Sequence, residues 1–240
     1  MNLHCFTEKE ASITTLAEKI AAISSAALER RPGFSLVLAG GSTPGDLYTL
    51  LARPAWRDRI AWSRAHVFFG DERCVPPNHH DSNYRMVRQA LLSAVPIPSQ
   101  HIHRIHGEAD PGEEAAIYQK RIETTLAMIS PDEPLFDLVL LGLGEDGHTA
   151  SLFPGDAALQ SSALVTAVAA PRTMTPALPR ISLTLRGIML SRHICFLVHG
   201  RTKQEIVRAV LADGSGRYPA AQVQNNTVSW YLSGMDCKGL

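Results

Sequence analysis

The chain has no acidic residue between Asp156 and Glu205, no C-x-x-C pair and no excess of either charge, with 23 basic against 23 acidic side chains in 240 residues. It also lacks a basic-then-apolar opening and any apolar run long enough for a membrane span. Each absence excludes something. Cys5, Cys74, Cys195 and Cys237 are scattered, which argues against a cysteine metal site and predicts free thiols in a cytoplasmic protein. Balanced charge leaves no chain-wide surface for nucleic acid or membrane. No targeting or spanning segment is read. No polar linker, internal repeat or low-complexity tract interrupts the sequence, so the expectation is one domain over residues 1–240. The acid-free stretch still carries Arg172, Arg180, Arg186, Arg192, Arg201 and Lys203. These are either an outer basic face or, for one or two of them, a convergent anion site.

What is present is an alternation of apolar strands and amphipathic helices. Thr7-x-x-Glu10 spells a capping box, followed by Ile13, Leu16, Ala17, Ile20, Ala27 and Leu28 at helical spacing. Strands are expected at Phe34–Leu38, His66–Phe69, Phe136–Leu141, 163–170, 180–185, His193–Val198 and Thr227–Leu232. Helices are expected after Pro44, after Ser82, from Asp110-Pro111 and through Ile206 and Val210. Pro171, Pro176 and Pro179 mark an irregular loop. This alternation predicts an α/β fold: an open, mostly parallel, doubly wound sheet with helices on both faces. In such sheets ligands bind beyond the carboxyl ends of the strands.

Three loops at strand ends hold the candidate chemistry. Ala39-Gly40-Gly41-Ser42-Thr43-Pro44-Gly45 joins a strand to a helix, with Thr43 as the expected N-cap and Pro44 at the first helical position. Its backbone N–H groups and the helix dipole make a ready anion site. No Gly-Lys-[Ser/Thr] follows, so it is not a Walker A loop. Pro44 replaces the last glycine of a nucleophile elbow. Gly70-Asp71-Glu72-Arg73 packs two acids and an arginine at a strand end, an arrangement that is costly unless it faces water or a ligand. Gly142-Leu143-Gly144-Glu145-Asp146-Gly147-His148-Thr149 follows the most apolar strand. It matches Gly-x-Gly-x-x-Gly, but Glu145 and Asp146 would repel a pyrophosphate, and no ribose-binding carboxylate stands about 20 residues on. His148 beside Asp146 is a candidate acid–base centre. His101 and His103 would share one strand face, yet no cysteine or carboxylate joins them at ligand spacing, so no metal is expected.

Taken in order, Gly40-Gly41-Ser42-Thr43-Pro44, Gly70-Asp71-Glu72-Arg73, Gly142-x-Gly144-x-Asp146-Gly147-His148-Thr149-Ala150-Ser151-Leu152-Phe153-Pro154, Pro179-Arg180-Ile181-Ser182-Leu183-Thr184 and Gly200-x-x-Lys203 closely resemble the 6-phosphogluconolactonase family, from about residue 34 to 232. The glucosamine-6-phosphate deaminases share that family's fold, but they differ from this sequence at Arg73 and carry a carboxylate shortly after the histidine, where Ser151-Leu152-Phe153-Pro154 has none. The resemblance implies a deaminase/isomerase-like fold and hydrolysis of a 6-phosphosugar lactone without metal, nucleotide or other cofactor. Gly40, Gly41, Ser42, Thr43, Gly144, Arg180 and Lys203 would hold the substrate, with the phosphate at the glycine loop. His148 would act as general base on water. Asp146 or Asp71 would hold its tautomer, and Arg73 would stabilise the oxyanion or bind a sugar hydroxyl. Amides of the Gly142–Gly147 loop are rival oxyanion donors. The expected partner is a small molecule, for a monomer or small homo-oligomer. Competing readings are a sugar-phosphate isomerase or deaminase and a non-catalytic sugar-phosphate sensor.

Overall fold

The structure is a computed structural model and describes residues 1–133, 135–171, 177–224 and 227–240. Arg172 and Pro176, part of the expected irregular loop, lie outside the described residues. The first half of the chain contains β1 (Asn2–Phe6), α1 (Lys9–Leu28), β2 (Phe34–Leu38), α2 (Ser42–Leu51), α3 (Pro54–Arg57), β3 (Ala65–Phe69), β4 (Asp71–Arg73), α4 (Asn83–Val87), β5 (Ile102–His103) and α5 (Pro111–Ile129). The second half contains β6 (Phe136–Leu141), β7 (Val165–Val168), β8 (Arg180–Leu183), α6 (Leu185–Met189), β9 (Ser191–His199), α7 (Gln204–Leu211), α8 (Pro219–Gln222) and β10 (Val228–Ser233).

Seven strands form one parallel sheet in the order β1-β10-β9-β6-β2-β3-β5. Strands β2, β3, β6 and β10 are buried at every position, as the continuous apolar runs require of strands covered on both faces. From β2 the chain winds outward through β3 to β5, and then returns to the other side of β2 as β6. The carboxyl ends of β2 and β6 therefore diverge at a topological switch point, where open α/β sheets bind their ligands. At the opposite ends of the same two strands, Asp137 is buried. Its carboxylate accepts the Ser35 N–H at 2.8 Å and the Ser35 hydroxyl at 3.2 Å, and it pairs with Arg31 at 2.5 Å.

The structure corrects several expectations. Strands β7 and β8 do not join the main sheet. They pair antiparallel with β4 in a second, three-stranded sheet, against which α5 packs. The edge strand β1, not expected from sequence, is only five residues long and mostly exposed, and it is held by parallel pairing with β10. The Thr7–Glu10 capping box does not form, since α1 begins at Lys9 with Glu8 at its N-cap and no side-chain cap. Thr43 is likewise not an N-cap. Gly41, at φ 103°, takes that position, and Pro44 is the third residue of α2. Cys5 and Cys237 are not free thiols. They form a disulfide, with Cα atoms 6.3 Å apart, because parallel pairing carries β1 alongside β10 and the tail that follows it. Cys74 and Cys195 are free.

His101 and His103 pack with a third imidazole, His66. The His103 Nε2 lies 3.1 Å from Nδ1 of His66, and His101 stacks on His66 at 4.0 Å between ring centroids. Burial and the neighbouring imidazoles lower His66 to about 4 and His103 to about 3. Both are neutral in the folded chain but titrate near 6.5 once unfolded. The unfolded state therefore takes up protons first as pH falls. Stability should be fully present above about 6.5 and decline toward pH 4, by up to about 1.4 kcal/mol per pH unit for each histidine. Denaturant melts across that range measure the slope, which should flatten in His66→Gln/His103→Gln.

Candidate active site

Four segments meet at the switch point around a cavity of about 310 Å³. Its lining includes Gly40, Gly41, Ser42, Thr43, Asp71, Arg73, Gly144, His148, Arg180 and Lys203. Every residue proposed from sequence except Asp146 is thus in the lining, and Asp146 touches the His148 that is. A larger cavity of about 590 Å³ lies at the Asp137 end of the sheet, lined by Arg31, Arg192 and Glu133 among others. It holds no loop from a strand's carboxyl end and, apart from Arg192 of the acid-free stretch, none of the candidate residues.

On one side, the first turn of α2 presents the N–H groups of Ser42 and Thr43, which have no helical acceptor available. Gly40 is required there because a Cβ would lie 2.1 Å from Oδ1 of Asn83. Lys203, at the end of the turn after β9, faces the same space, with its ammonium 3.7 Å from the exposed Glu145 carboxylate. A cation and helix amides thus converge on one space, an arrangement that can receive an anion.

On the other side is the His148 loop. The Nδ1 of His148 lies 2.5 Å from Oδ1 of Asp146, which also accepts the His148 N–H at 3.1 Å. Burial raises the Asp146 pKa, but the bonds to His148 outweigh it and hold the carboxyl below its ordinary value. The aspartate stays ionised and fixes the proton on Nδ1, leaving Nε2 as the basic nitrogen. A Cβ on Gly144 would fall 2.0 Å from His148 Nδ1 and 2.7 Å from Asp146 Oδ1, so only glycine leaves room for the pair. Gly144 and Gly147 donate their N–H groups within the loop, to His148 C=O and Gly144 C=O. These two amides are therefore not available as oxyanion donors.

The floor is made by β4 and β8, whose antiparallel register sets Arg73 opposite Arg180 and Asp71 opposite Ser182. Arg180 is 4% exposed, so it belongs to no outer basic face. Burial lowers its pKa and the Arg73 charge adds to that, while Asp71 opposes both. Asp71 does not touch His148: its Oδ2 accepts from the Ser151 hydroxyl at 2.5 Å and its Oδ1 from Asn83 Nδ2 at 3.2 Å. Of the two aspartates considered for the imidazole, Asp146 is the one in contact. Arg73 donates to the Asp81 carbonyl at 2.8 Å.

Glu72 points away from the cavity. Its carboxylate accepts the N–H groups of Arg73, Asn83 and Tyr84 and the Ser82 hydroxyl, satisfying the start of α4. Burial still raises its pKa. Three residues were missed from sequence: Asn83 and His199 line the cavity, and Ser151 ties Asp71 to the His148 loop. Ser82-Asn83 was legible only as a helix start, and nothing in the spacing marks His199 or Ser151.

The fold and the site define an α/β protein with a cavity at a sheet switch point, in which an imidazole–carboxylate pair lies beside a helix N-terminus and a lysine. A model of the family described as glucosamine-6-phosphate isomerases/6-phosphogluconolactonase matches residues 7–231, and the chain belongs to that family. It is 40% identical over 214 residues to a 6-phosphogluconolactonase of Synechocystis, covering 88% of this chain and 85% of the relative. It is 37% identical to the Haemophilus influenzae 6-phosphogluconolactonase, covering 81% and 82%. The crystal structure of the Thermotoga maritima 6-phosphogluconolactonase superposes with a TM-score of 0.84 at 29% identity, over 97% of this chain and 99% of that one. A monomeric glucosamine-6-phosphate deaminase matches with a TM-score of 0.83 at 19% identity, a likeness of fold alone.

Gly144→Ala should displace His148 from Asp146 without disturbing the sheet. Turnover should fall at least ~10-fold while the thermal midpoint moves little, measured by kinetics and calorimetry on one preparation.

Proposed function

We propose that this protein hydrolyses 6-phospho-D-glucono-1,5-lactone to 6-phospho-D-gluconate, in the oxidative pentose phosphate pathway. One observation carries the reading: a carboxylate-held imidazole and a helix-terminus anion site share a cavity of hexose size. The lactone phosphate lies on the Ser42 and Thr43 amides with Lys203, which exchanges its weak contact to Glu145 for a dianion. Arg180 adds positive charge from the floor. His148 Nε2 takes a proton from water as the water oxygen bonds to C1, and the carbonyl oxygen gains the electron pair. Arg73 is the side chain placed to balance that charge or to hold a ring hydroxyl. Collapse of the tetrahedral intermediate breaks the C1–ring-oxygen bond, and the proton held on His148 passes to the departing oxygen. Asp146 keeps the imidazole in one tautomer throughout.

Against the isomerase or deaminase reading stands the segment after His148. Ring opening with proton transfer between carbons needs a further base. The next carboxylate along the chain is Asp156, which caps the Ala158 N–H at 2.7 Å. No helix among the described residues is long and apolar enough to cross a membrane, which is compatible with a cytoplasmic setting, and the reaction asks nothing beyond a monomer or small homo-oligomer.

His148→Ala should lower kcat by ~10²–10⁴-fold, with phosphate-dependent binding retained. The measurement is proton release from freshly made lactone, corrected for spontaneous opening, and residual turnover at the wild-type level would remove the base assignment. Lys203→Ala and Arg180→Ala should chiefly raise KM, because phosphate contacts are made in the ground state as well. A loss confined to kcat in either variant would contradict the phosphate role.

A further inference from the structure

Between β4 and α4 the chain runs through Pro76-Pro77 into a short turn, fixed by the His79 N–H to Pro76 C=O and the Ser82 N–H to His79 C=O. That turn brings together three metal-ligating side chains: His79, His80 and Asp81. Asp81 Oδ2 lies 3.7 Å from His79 Nδ1 and 3.1 Å from His80 Nε2. All three ligand atoms fall within 4.8 Å of one another. Zinc bonds of ~2.0–2.1 Å in a tetrahedron place ligand atoms about 3.3 Å apart, and the two contacts bracket that spacing. Two imidazoles and one carboxylate are a borderline donor set, suited to Zn²⁺ or Co²⁺ rather than Mg²⁺ or Ca²⁺.

We propose that His79, His80 and Asp81 bind one divalent transition-metal ion of the zinc class at the rim of the cleft. Binding replaces the bond in which His79 Nδ1 accepts the Asp81 N–H at 3.2 Å. The His80 side chain is 75% exposed and open to an incoming ion, and water completes the fourth position. The ion sits outside the proposed reaction machinery and does not depend on the lactonase reading. It does bear on the cleft: the Asp81 carbonyl holds Arg73, and His80 lines a second cavity that shares Gly41, Ser42, Arg73 and Asn83 with the first.

The test is titration of the full chain with Co²⁺, read by the visible absorption of four-coordinate cobalt and reversed by Zn²⁺. One equivalent should bind in the wild type and in His148→Ala. The band should be lost in His80→Ala, which alters an exposed side chain, and in Asp81→Asn, which keeps the size of a half-buried one. Three results would overturn the site: no band in the wild type, a band that survives in His80→Ala, or a band lost in His148→Ala. The last would move the ion to the imidazole at the heart of the cleft.

Discussion

The buried carboxylate of Asp137 fixes how β2 and β6 lie against each other, and both halves of the cleft depend on that alignment. Its oxygens take the N–H and hydroxyl of Ser35 in the neighbouring strand, and its own N–H donates back to the Ser35 hydroxyl at 2.9 Å. Arg31 supplies the countercharge, and Arg192 approaches at 3.8 Å. A carboxylate left unpaired at this depth would cost several kcal/mol, so a pairing shifted by one residue is heavily disfavoured. The register Leu36 with Leu138 and Val37 with Val139 follows. One strand then delivers Gly40–Thr43 and the other delivers Gly142–His148 to the same crevice.

The other buried charges divide by task. Glu72 and Asp71 are adjacent in one short strand and point to opposite faces, as the period of two requires. Glu72 holds the start of α4 and thereby places Asn83. Asp71 meets Ser151, Asn83 and the field of Arg180, so it links the floor of the cleft to the His148 loop. This explains how three charged residues in a row are tolerated: each carboxylate has more than one donor, Asp71 offsets the charge of Arg180, and Arg73 donates to the Asp81 carbonyl. Ala150, between His148 and Ser151, sits at φ 48°, a conformation an L residue rarely adopts. The loop accepts that strain while sending its imidazole and its hydroxyl in different directions.

Much of this was legible in the sequence because the relevant signals are local. A buried parallel strand announces itself as an apolar run, as at Phe136–Leu141. A glycine-rich turn before a helix announces an anion site, as at Gly40–Thr43. The side chains that close the cleft were harder to read. Asn83 reaches it only because Glu72 anchors α4, and His199 because β9 ends beside β6. The second sheet is unread for the same reason, since β4 pairs with β8 across a long separation, Asp71 with Ser182, that a strand's own pattern does not encode. Caps were misplaced by one or two residues at Thr7 and Thr43, where a glycine or backbone geometry did what a hydroxyl was expected to do. The role of Asp71 was open between two aspartates until contacts distinguished them.

The Cys5–Cys237 bond joins positions separated by 232 residues, so nearly the whole polypeptide becomes a covalent ring. In the chain-entropy account a closure of that length removes freedom from the denatured ensemble worth about 5 kcal/mol. The oxidised molecule can lose its edge strand only by also disturbing the tail beyond β10, whose Asp236 N–H is bonded to the Gln204 side chain next to Lys203. Thiol reductants would therefore do two things at once. They would open the ring, and they would loosen the scaffold directly behind the cation at the mouth of the cleft.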